Sequence, residues 1–156
     1  MRSGKWTLWK VPVEGGNPTK LTDYTSNSPA VSPDGKWIAC FYFPDQGDLD
    51  KRRIALIPFE GGQPAKIVDF QRAMAPQVMD SGIKWTPDGR ALAYLDVRKG
   101  VSNIWIQPLD GGSPKPLTDF EKSSQVLSLA WSRDGKQLAM ARGLWTSDVI
   151  LISNSK

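Results

Sequence analysis

The sequence predicts an all-β protein made of repeated four-stranded antiparallel sheets, and three observations support this prediction. Two different glycine turns each recur three times along the 156 residues. Short apolar runs rich in Ile, Val, Leu and aromatic residues separate the turns, and their length is typical of strands. No longer stretch has a convincing 3.6-residue apolar period, so we expect no amphipathic helix.

The first recurring turn is an Asp-Gly pair between two apolar runs. It occurs as Asp34-Gly35, Asp88-Gly89 and Asp134-Gly135. This pattern is a strong hairpin signal, because glycine adopts a positive φ without a Cβ clash. We therefore assign these residues a structural role in the repeat. The strand before each pair is labelled a and the strand after it b.

The second recurring turn is a Gly-Gly pair that follows a strand c and precedes a strand d. The pairs lie at 15–16, 61–62 and 111–112, and strand d ends in Leu-Thr-Asp or a similar sequence. In one unit, strands b and c are nearly apolar on both faces. Such a sheet must be covered on both sides, and stacked copies of the same sheet supply the cover.

Four strands in about 46 residues, with both faces covered, predict the blade of a β-propeller. The two segments Ser32-Pro33-Asp34-Gly35-Lys36 and Thr86-Pro87-Asp88-Gly89-Arg90, with the Leu-Thr-Asp endings at 21–23 and 117–119, resemble the TolB-type repeat, the Pro-Asp-Gly variety of the WD-like (WD40-like) repeat. The resemblance covers 5–152, and the third copy departs from it with Arg133 in place of proline. It implies a bacterial propeller module whose function the repeat itself does not specify.

The strands divide the chain, 1–156, into one half-propeller unit with incomplete blades at both ends. Strands c and d of a partial blade are predicted at 5–24, and complete blades at 28–70 and 80–120. Strands a, b and c of a last partial blade follow at 126–152. This amounts to about three blades, with one strand c duplicated.

Three blades are too few for a closed ring, since propellers have about four to eight. An open stack would expose apolar sheet faces, which favours association. We therefore expect the chain to pair with itself, most simply as a dimer closed head-to-tail into a six-bladed ring. In this hypothesis each chain donates 17–24 to complete the last blade of its partner. The alternative is that the chain is a piece of a longer propeller with further blades upstream.

Catalytic residues and cofactors are not predicted. The chain has no histidine and one cysteine, Cys40, which excludes Ser-His-Asp and Cys-His nucleophile systems, His/Cys zinc sites and an internal disulfide. Ser28, Ser81 and Ser128 have no base at motif spacing, and no Gly-x-Ser-x-Gly elbow is present. Cys40 lies in an apolar run and is predicted to be a core residue.

The charge pattern excludes further classes. The 20 Lys and Arg against 16 Asp and Glu give a net charge of +4 without a sustained basic stripe, so no nucleic-acid surface is predicted. The acidic loop at 45–50 lacks the spacing of an EF-hand, and we predict no metal site.

No apolar run approaches the roughly 20 residues of a membrane span, so no membrane partner is expected. No signal peptide precedes the first strand, and the localisation stays open, since a parent protein could be periplasmic or membrane-anchored.

Binding, if any, is expected in the loops that do not repeat. The d-to-a connections at 24–28, 70–80 and 120–126 are the longest and least alike, and loops on rigid scaffolds carry function. Arg72 and Asp80 in the second connection, with Trp145 near the end, are the candidate contacts for a protein, a peptide or a small ligand. By contrast, four tryptophans occupy recurring strand positions and are predicted to pack between blades: Trp9, Trp85, Trp105 and Trp131.

These patterns favour a non-catalytic interaction or sensor module that self-associates. A purely structural self-assembling propeller fragment and an accessory propeller of a serine peptidase remain as alternatives.

Overall fold

The computed structural model describes residues 5–44, 51–68, 82–121 and 125–144. Within these ranges the chain forms twelve strands, and no helix long and apolar enough to cross a membrane occurs there. In chain order the strands are β1 (Trp9–Lys10), β2 (Thr19–Lys20), β3 (Ser26–Val31), β4 (Trp37–Tyr42), β5 (Arg53–Pro58), β6 (Lys66–Val68), β7 (Lys84–Trp85), β8 (Ala91–Arg98), β9 (Val101–Pro108), β10 (Lys115–Pro116), β11 (Gln125–Trp131) and β12 (Leu138–Gly143).

The strands form four antiparallel sheets in which neighbours in sequence are neighbours in the sheet. Sheet 1 is β1-β2, sheet 2 is β3-β4-β5-β6, sheet 3 is β7-β8-β9-β10 and sheet 4 is β11-β12. The two complete sheets therefore have the order a-b-c-d. Sheet 1 holds strands c and d, and sheet 4 holds strands a and b within the described residues. The prediction of an all-β protein with four-stranded antiparallel sheets is confirmed.

The sheets stack face to face in chain order, with an apolar layer between each pair. In β4, Ile38 and Cys40 pack in the first layer, between sheets 1 and 2, whereas Ala39 and Phe41 pack in the second layer, between sheets 2 and 3. The third layer joins sheets 3 and 4 through Leu95, among others. Both faces of β4 and β5 are thus buried, which explains why strands b and c of sheet 2 are nearly apolar on both faces. Cys40 is fully buried as predicted, and this burial raises the pKa of its thiol to about 12.

The Asp-Gly turns are four-residue loops rather than two-residue ones. The Ser32 backbone N–H donates to Trp37 O at 2.8 Å, and Gly35 N–H donates to Ser32 O at 2.9 Å. Gly35 has a φ of +72°, whereas the φ of Asp34 is not positive. A two-residue loop occurs instead at 99–100, between β8 and β9, where both residues have positive φ.

The aspartate of each of these turns fastens the loop with its side chain. The Ser32 hydroxyl donates to Asp34 Oδ1 at 2.5 Å, and the Lys36 backbone N–H donates to the same oxygen at 3.1 Å. The hydrogen bond from Ser32, followed by that from Lys36, holds the pKa of Asp34 below its usual value. Asp88 accepts the equivalent hydrogen bonds from the Thr86 hydroxyl and Arg90 N–H, and Asp134 accepts them from Ser132 and Lys136, with the same effect on the pKa of each carboxyl.

The Leu-Thr-Asp ending replaces a backbone hydrogen bond with a side-chain one. Where strand d leaves strand c, Thr22 Oγ1 accepts from Leu8 N–H at 3.0 Å, and Thr118 Oγ1 accepts from Ile104 N–H at 2.9 Å. In sheet 2 this position is Val68, which has no hydroxyl. There the backbone ladder continues to the Ile54–Val68 pair, and β6 is one residue longer than β2 and β10.

Successive Asp-Gly turns also pack on one another. A Cβ built on Gly89 would lie 3.7 Å from Pro33 Cδ, and one built on Gly135 would lie 2.7 Å from Pro87 Cβ. The proline of each turn therefore lies against the glycine of the turn in the next sheet. Arg133 takes the place of this proline in sheet 4, which has no following sheet among the described residues.

Three of the four repeated tryptophans lie between sheets, as predicted. Trp85 is 8% exposed, and its indole Nε1 donates across the layer to Ala30 O at 2.8 Å. Trp131 packs in the third layer, and Trp105 packs in the second layer. The indole Nε1 of Trp131 is buried and has no hydrogen-bond acceptor. Trp9 is 56% exposed, because no other sheet among the described residues covers its face of sheet 1.

We predict that Trp85→Phe destabilises the fold more than Trp131→Phe. Both substitutions remove an indole at the same repeat position, but only Trp85 loses a hydrogen bond, which contributes about 1 kcal/mol. Urea unfolding followed by circular dichroism measures the difference. Equal free energies of unfolding for the two variants would show that the bond to Ala30 contributes nothing.

The stacking of the turns can be tested with a matched pair of glycines. Gly35 and Gly135 have φ values of +72° and +71°, but a Cβ on Gly35 meets nothing within 4 Å. Alanine at either position adds the left-handed strain of about 1–2 kcal/mol. We expect Gly135→Ala to lose roughly 1–3 kcal/mol more, because its Cβ overlaps Pro87. Equal losses in urea unfolding would contradict this packing.

Candidate interaction surface

The first end of the stack exposes apolar positions that are buried in the other sheets. We call this surface the leading face. It includes Trp9 and Val11 in the strand c region of sheet 1, which are 56% and 57% exposed. Their repeat equivalents in sheet 2, Ala55 and Ile57, are fully buried against sheet 1. The side chains at these positions are thus of the kind that pack between sheets, but no sheet among the described residues contacts them.

The leading face continues onto the strand a of sheet 2. Val31, at the end of β3, is 51% exposed, whereas its equivalent Trp85 is 8% exposed. Pro29 is likewise exposed, whereas its equivalent Ile83 is 1% exposed. The difference arises because sheet 1 contributes strands c and d alone within the described residues. Nothing in those residues covers Pro29 and Val31 of β3.

A cleft of about 560 Å³ occupies this uncovered place. It lies between residues 5–9, which lead into β1, and residues 26–29 of β3. Trp6 on its rim is 61% exposed. The cleft therefore presents exposed aromatic surface, which suits a chain segment that offers apolar side chains.

The edge of β3 at the cleft is irregular. A bulge lies between Asn27 and Ala30, and Ser28 within it has a φ of +52°. Bulges are common at sheet edges and beside binding sites, where they redirect side chains. Of the three serines without a base at motif spacing, Ser28 lies within the bulge of β3, and Ser128 borders a bulge of β11 and pairs with Ala141. Ser81 lies outside the described residues.

The other end of the stack presents small side chains, and we call this surface the trailing face. It consists of Ala130, Ala139 and Ala141 of sheet 4, all exposed. Ala39 and Ala93, which are equivalent to Ala139, are fully buried against the following sheet. The trailing face is therefore a second inter-sheet surface that lacks its neighbour.

One buried charge within the stack was not singled out from the sequence. Asp96, near the end of β8, is 1% exposed. Its Oδ2 accepts from Arg98 Nε at 2.8 Å, whereas Oδ1 is buried without a partner. The Arg98 guanidinium also lies 4.2 Å from the centre of the Trp105 ring. The sequence does contain a signal for this buried charge. Asp96 is a carboxylate within the apolar run of strand b, at the position that Tyr42 occupies in sheet 2.

The three predicted contact residues, Arg72, Asp80 and Trp145, lie outside the described residues and stay predictions. The acidic loop at 45–50 lies outside them too. In the part of the chain that the structure describes, no three His, Cys, Asp or Glu side chains are grouped in a way that could hold a metal ion. The turn residues at 34–35, 88–89 and 134–135 occupy the hairpins given above.

No protein-family model matches the chain. Among curated proteins, it is 32% identical over 68 residues to the uncharacterized peptidase YuxL of Bacillus subtilis. This similarity covers 43% of the chain and 10% of that protein. The chain thus spans a small part of the curated relative it matches.

Solved structures with a similar fold match most of the chain. TolB from Acinetobacter baumannii superposes with a TM-score of 0.60 at 21% identity, over 85% of this chain and 31% of that one. A TolB protein from Agrobacterium tumefaciens gives 0.63 at 24% identity, over 87% and 50%. A gluconolactonase from Xanthomonas campestris gives 0.52 at 15% identity, over 88% and 41%. The stacked four-stranded sheets and these superpositions together show that the chain has the fold of a stretch of a TolB-like β-propeller.

Proposed function

We propose that the chain is a non-catalytic β-propeller module for interaction, and that it self-associates head-to-tail into a six-bladed ring of two chains. One observation carries the proposal. Positions that are fully buried between the inner sheets are exposed at both ends of the stack, as for Val11 and Ala139. Exposed apolar sheet faces of this kind mark interaction surfaces.

The two faces differ, and this difference favours a head-to-tail arrangement. The leading face has the large side chains of Trp9 and Val31, whereas the trailing face has alanines. A contact that lies on a two-fold axis would place two leading faces, or two trailing faces, against each other. A head-to-tail contact instead places the trailing face of one copy against the leading face of the next, as between successive sheets, and it closes into a ring when the rotation permits.

The size of the ring is supported by the similar structures and by general propeller geometry. The chain covers 50% of the TolB protein from Agrobacterium tumefaciens and 31% of that from Acinetobacter baumannii, so two copies would match the length of the first of these two chains. Six blades lie within the range of about four to eight in which propellers close.

The absence of catalysis is proposed on the chemistry of the chain. It contains no histidine, and sequence reasoning finds no nucleophile paired with a base. A second candidate function, the accessory propeller of a serine peptidase, is favoured by the similarity to the peptidase YuxL. Because that similarity covers 10% of the YuxL chain, any catalytic domain would lie outside the matched residues. A purely structural role in ring assembly is the third alternative.

Light scattering at micromolar concentration tests self-association. We expect the mass of two chains for the unmodified protein and that of one chain for Ala139→Arg, which places a charge on the trailing face. The control is Gln63→Arg, which changes an exposed residue in the turn between β5 and β6, away from both ends. A single-chain mass for the unmodified protein would overturn the proposal.

We further propose that the loop mouth of the ring binds a protein, a peptide or a small ligand through Arg72, Asp80 and Trp145. Loops carried by a rigid scaffold are the usual place for such contacts. We expect Arg72→Ala with Asp80→Ala to lose the partner that the unmodified chain retains in a pull-down. The matched control is Lys36→Ala in the Asp-Gly turn at the other end of sheet 2. Unchanged retention by the double variant would rule out this placement.

A further inference from the structure

We infer that the two chains share a four-stranded sheet, in which β11 and β12 of one copy are completed by β1 and β2 of the other. The inference rests on the proposed self-association and specifies how it occurs. Its first support is the order of the strands. Sheets 2 and 3 both run a-b-c-d, sheet 4 contains a and b, and sheet 1 contains c and d.

Within the described residues, sheets 4 and 1 have complementary edges. In the complete sheets strand b pairs with strand c, as β4 with β5 and β8 with β9. Within the described residues, β12 is a strand b that pairs with β11 alone, and β1 is a strand c that pairs with β2 alone. Joining β12 to β1 of another copy would satisfy both edges with the pairing that the fold already uses twice.

The cleft at the leading face lies where the added strands would go. It borders the residues that lead into β1 on one side and β3 on the other, which is the place of strands a and b in sheet 1. Pro29 and Val31 of β3 are exposed there. Strands β11 and β12 of a second copy would cover them with the small side chains of the trailing face, Ala139 and Ala141, which leave room for Val31.

The repeat also fixes the register of the shared sheet. Cys40 pairs with Ala55 in sheet 2, and Tyr94 pairs with Trp105 in sheet 3. The equivalent pair is Met140 of one chain with Trp9 of the other. Two residues along, Ile38 pairs with Ile57, and Leu92 pairs with Gln107. The equivalent pair is Leu138 with Val11.

In this register, the exposed side chains of Trp9 in β1 and of Val11, which follows β1, would be covered. Leu138 packs against the third layer, between sheets 3 and 4, and Met140 lies on the same face of β12. Trp9 and Val11 would lie beside them on that face. They would then contact the outer part of sheet 3, where Ile106 is only partly buried. Two apolar side chains, each more than half exposed in one chain, would thereby be buried in the pair of chains.

The rival arrangement is the donation of 17–24 alone. It would require β2 to leave β1, with which it pairs through Trp9–Lys20 and Lys10–Thr19. It would also require strand c of sheet 4 to come from the same chain, at the predicted 148–152. In that case β12 has no pairing with β1 of the partner, so the two arrangements differ in which residues lie opposite Met140.

Disulfide trapping between two singly substituted chains tests the register. One chain carries Trp9→Cys and the other Met140→Cys, and they are mixed and oxidised mildly. Directly opposite residues have Cβ atoms about 4.5–5.5 Å apart, close to the range that a disulfide bridges. The control replaces Trp9→Cys by Lys10→Cys, whose side chain lies on the other face of the strand. Val11→Cys with Leu138→Cys serves as a second pair that retains Trp9. The native Cys40 is fully buried and does not compete.

We expect a covalent dimer of one chain of each kind on a non-reducing gel for both matched pairs, at least tenfold more than for the control. A two-chain mass in light scattering without either disulfide would overturn the shared sheet and leave self-association intact. Equal cross-linking of the control would overturn it as well. A single-chain mass would overturn both proposals.

Discussion

The structure depends on one constraint, which is that both faces of each sheet must be covered. Strands b and c carry apolar side chains on both faces, so a single sheet would leave one or both faces in water at a cost of roughly 25 cal/mol per Å². Ile38 and Cys40 are covered from one side, and Ala39 and Phe41 from the other. Because every sheet obeys the same rule, the repeats stack in chain order. The stack ends in uncovered faces wherever the next sheet is missing.

The repeated turns and strand endings maintain the spacing of this stack. Pro87 lies against Gly135 so closely that no Cβ fits between them, and Trp85 donates a hydrogen bond across the layer to Ala30. The hydroxyl of Thr118 accepts the N–H of Ile104 where strand d diverges. Each device satisfies a backbone group or fills a gap that sheet packing alone would leave. These residues therefore recur for structural reasons, and they say little about ligands.

The sequence predicted the sheets well, because repetition identifies strands and turns without knowledge of their packing. It predicted strand d less well: a strand was expected over 17–24, whereas β2 covers 19–20. The reason is the Thr22 hydroxyl, which takes over a backbone hydrogen bond and ends the ladder early. The exposure of Trp9 also escaped prediction, since its repeat position is that of a packed residue. Only the arrangement of neighbouring sheets shows which face is uncovered.

The uncovered faces would also give the proposed assembly a direction. If the two ends presented the same side chains, two copies could meet face to face and leave their other ends open. Here Trp9 and Val31 stand at one end and Ala139 and Ala141 at the other, so each contact leaves one free face of each kind. A finite assembly then requires closure, because an unclosed chain of head-to-tail contacts would grow into a filament. In the proposed ring, the curvature of a stack of β-propeller sheets would provide that closure.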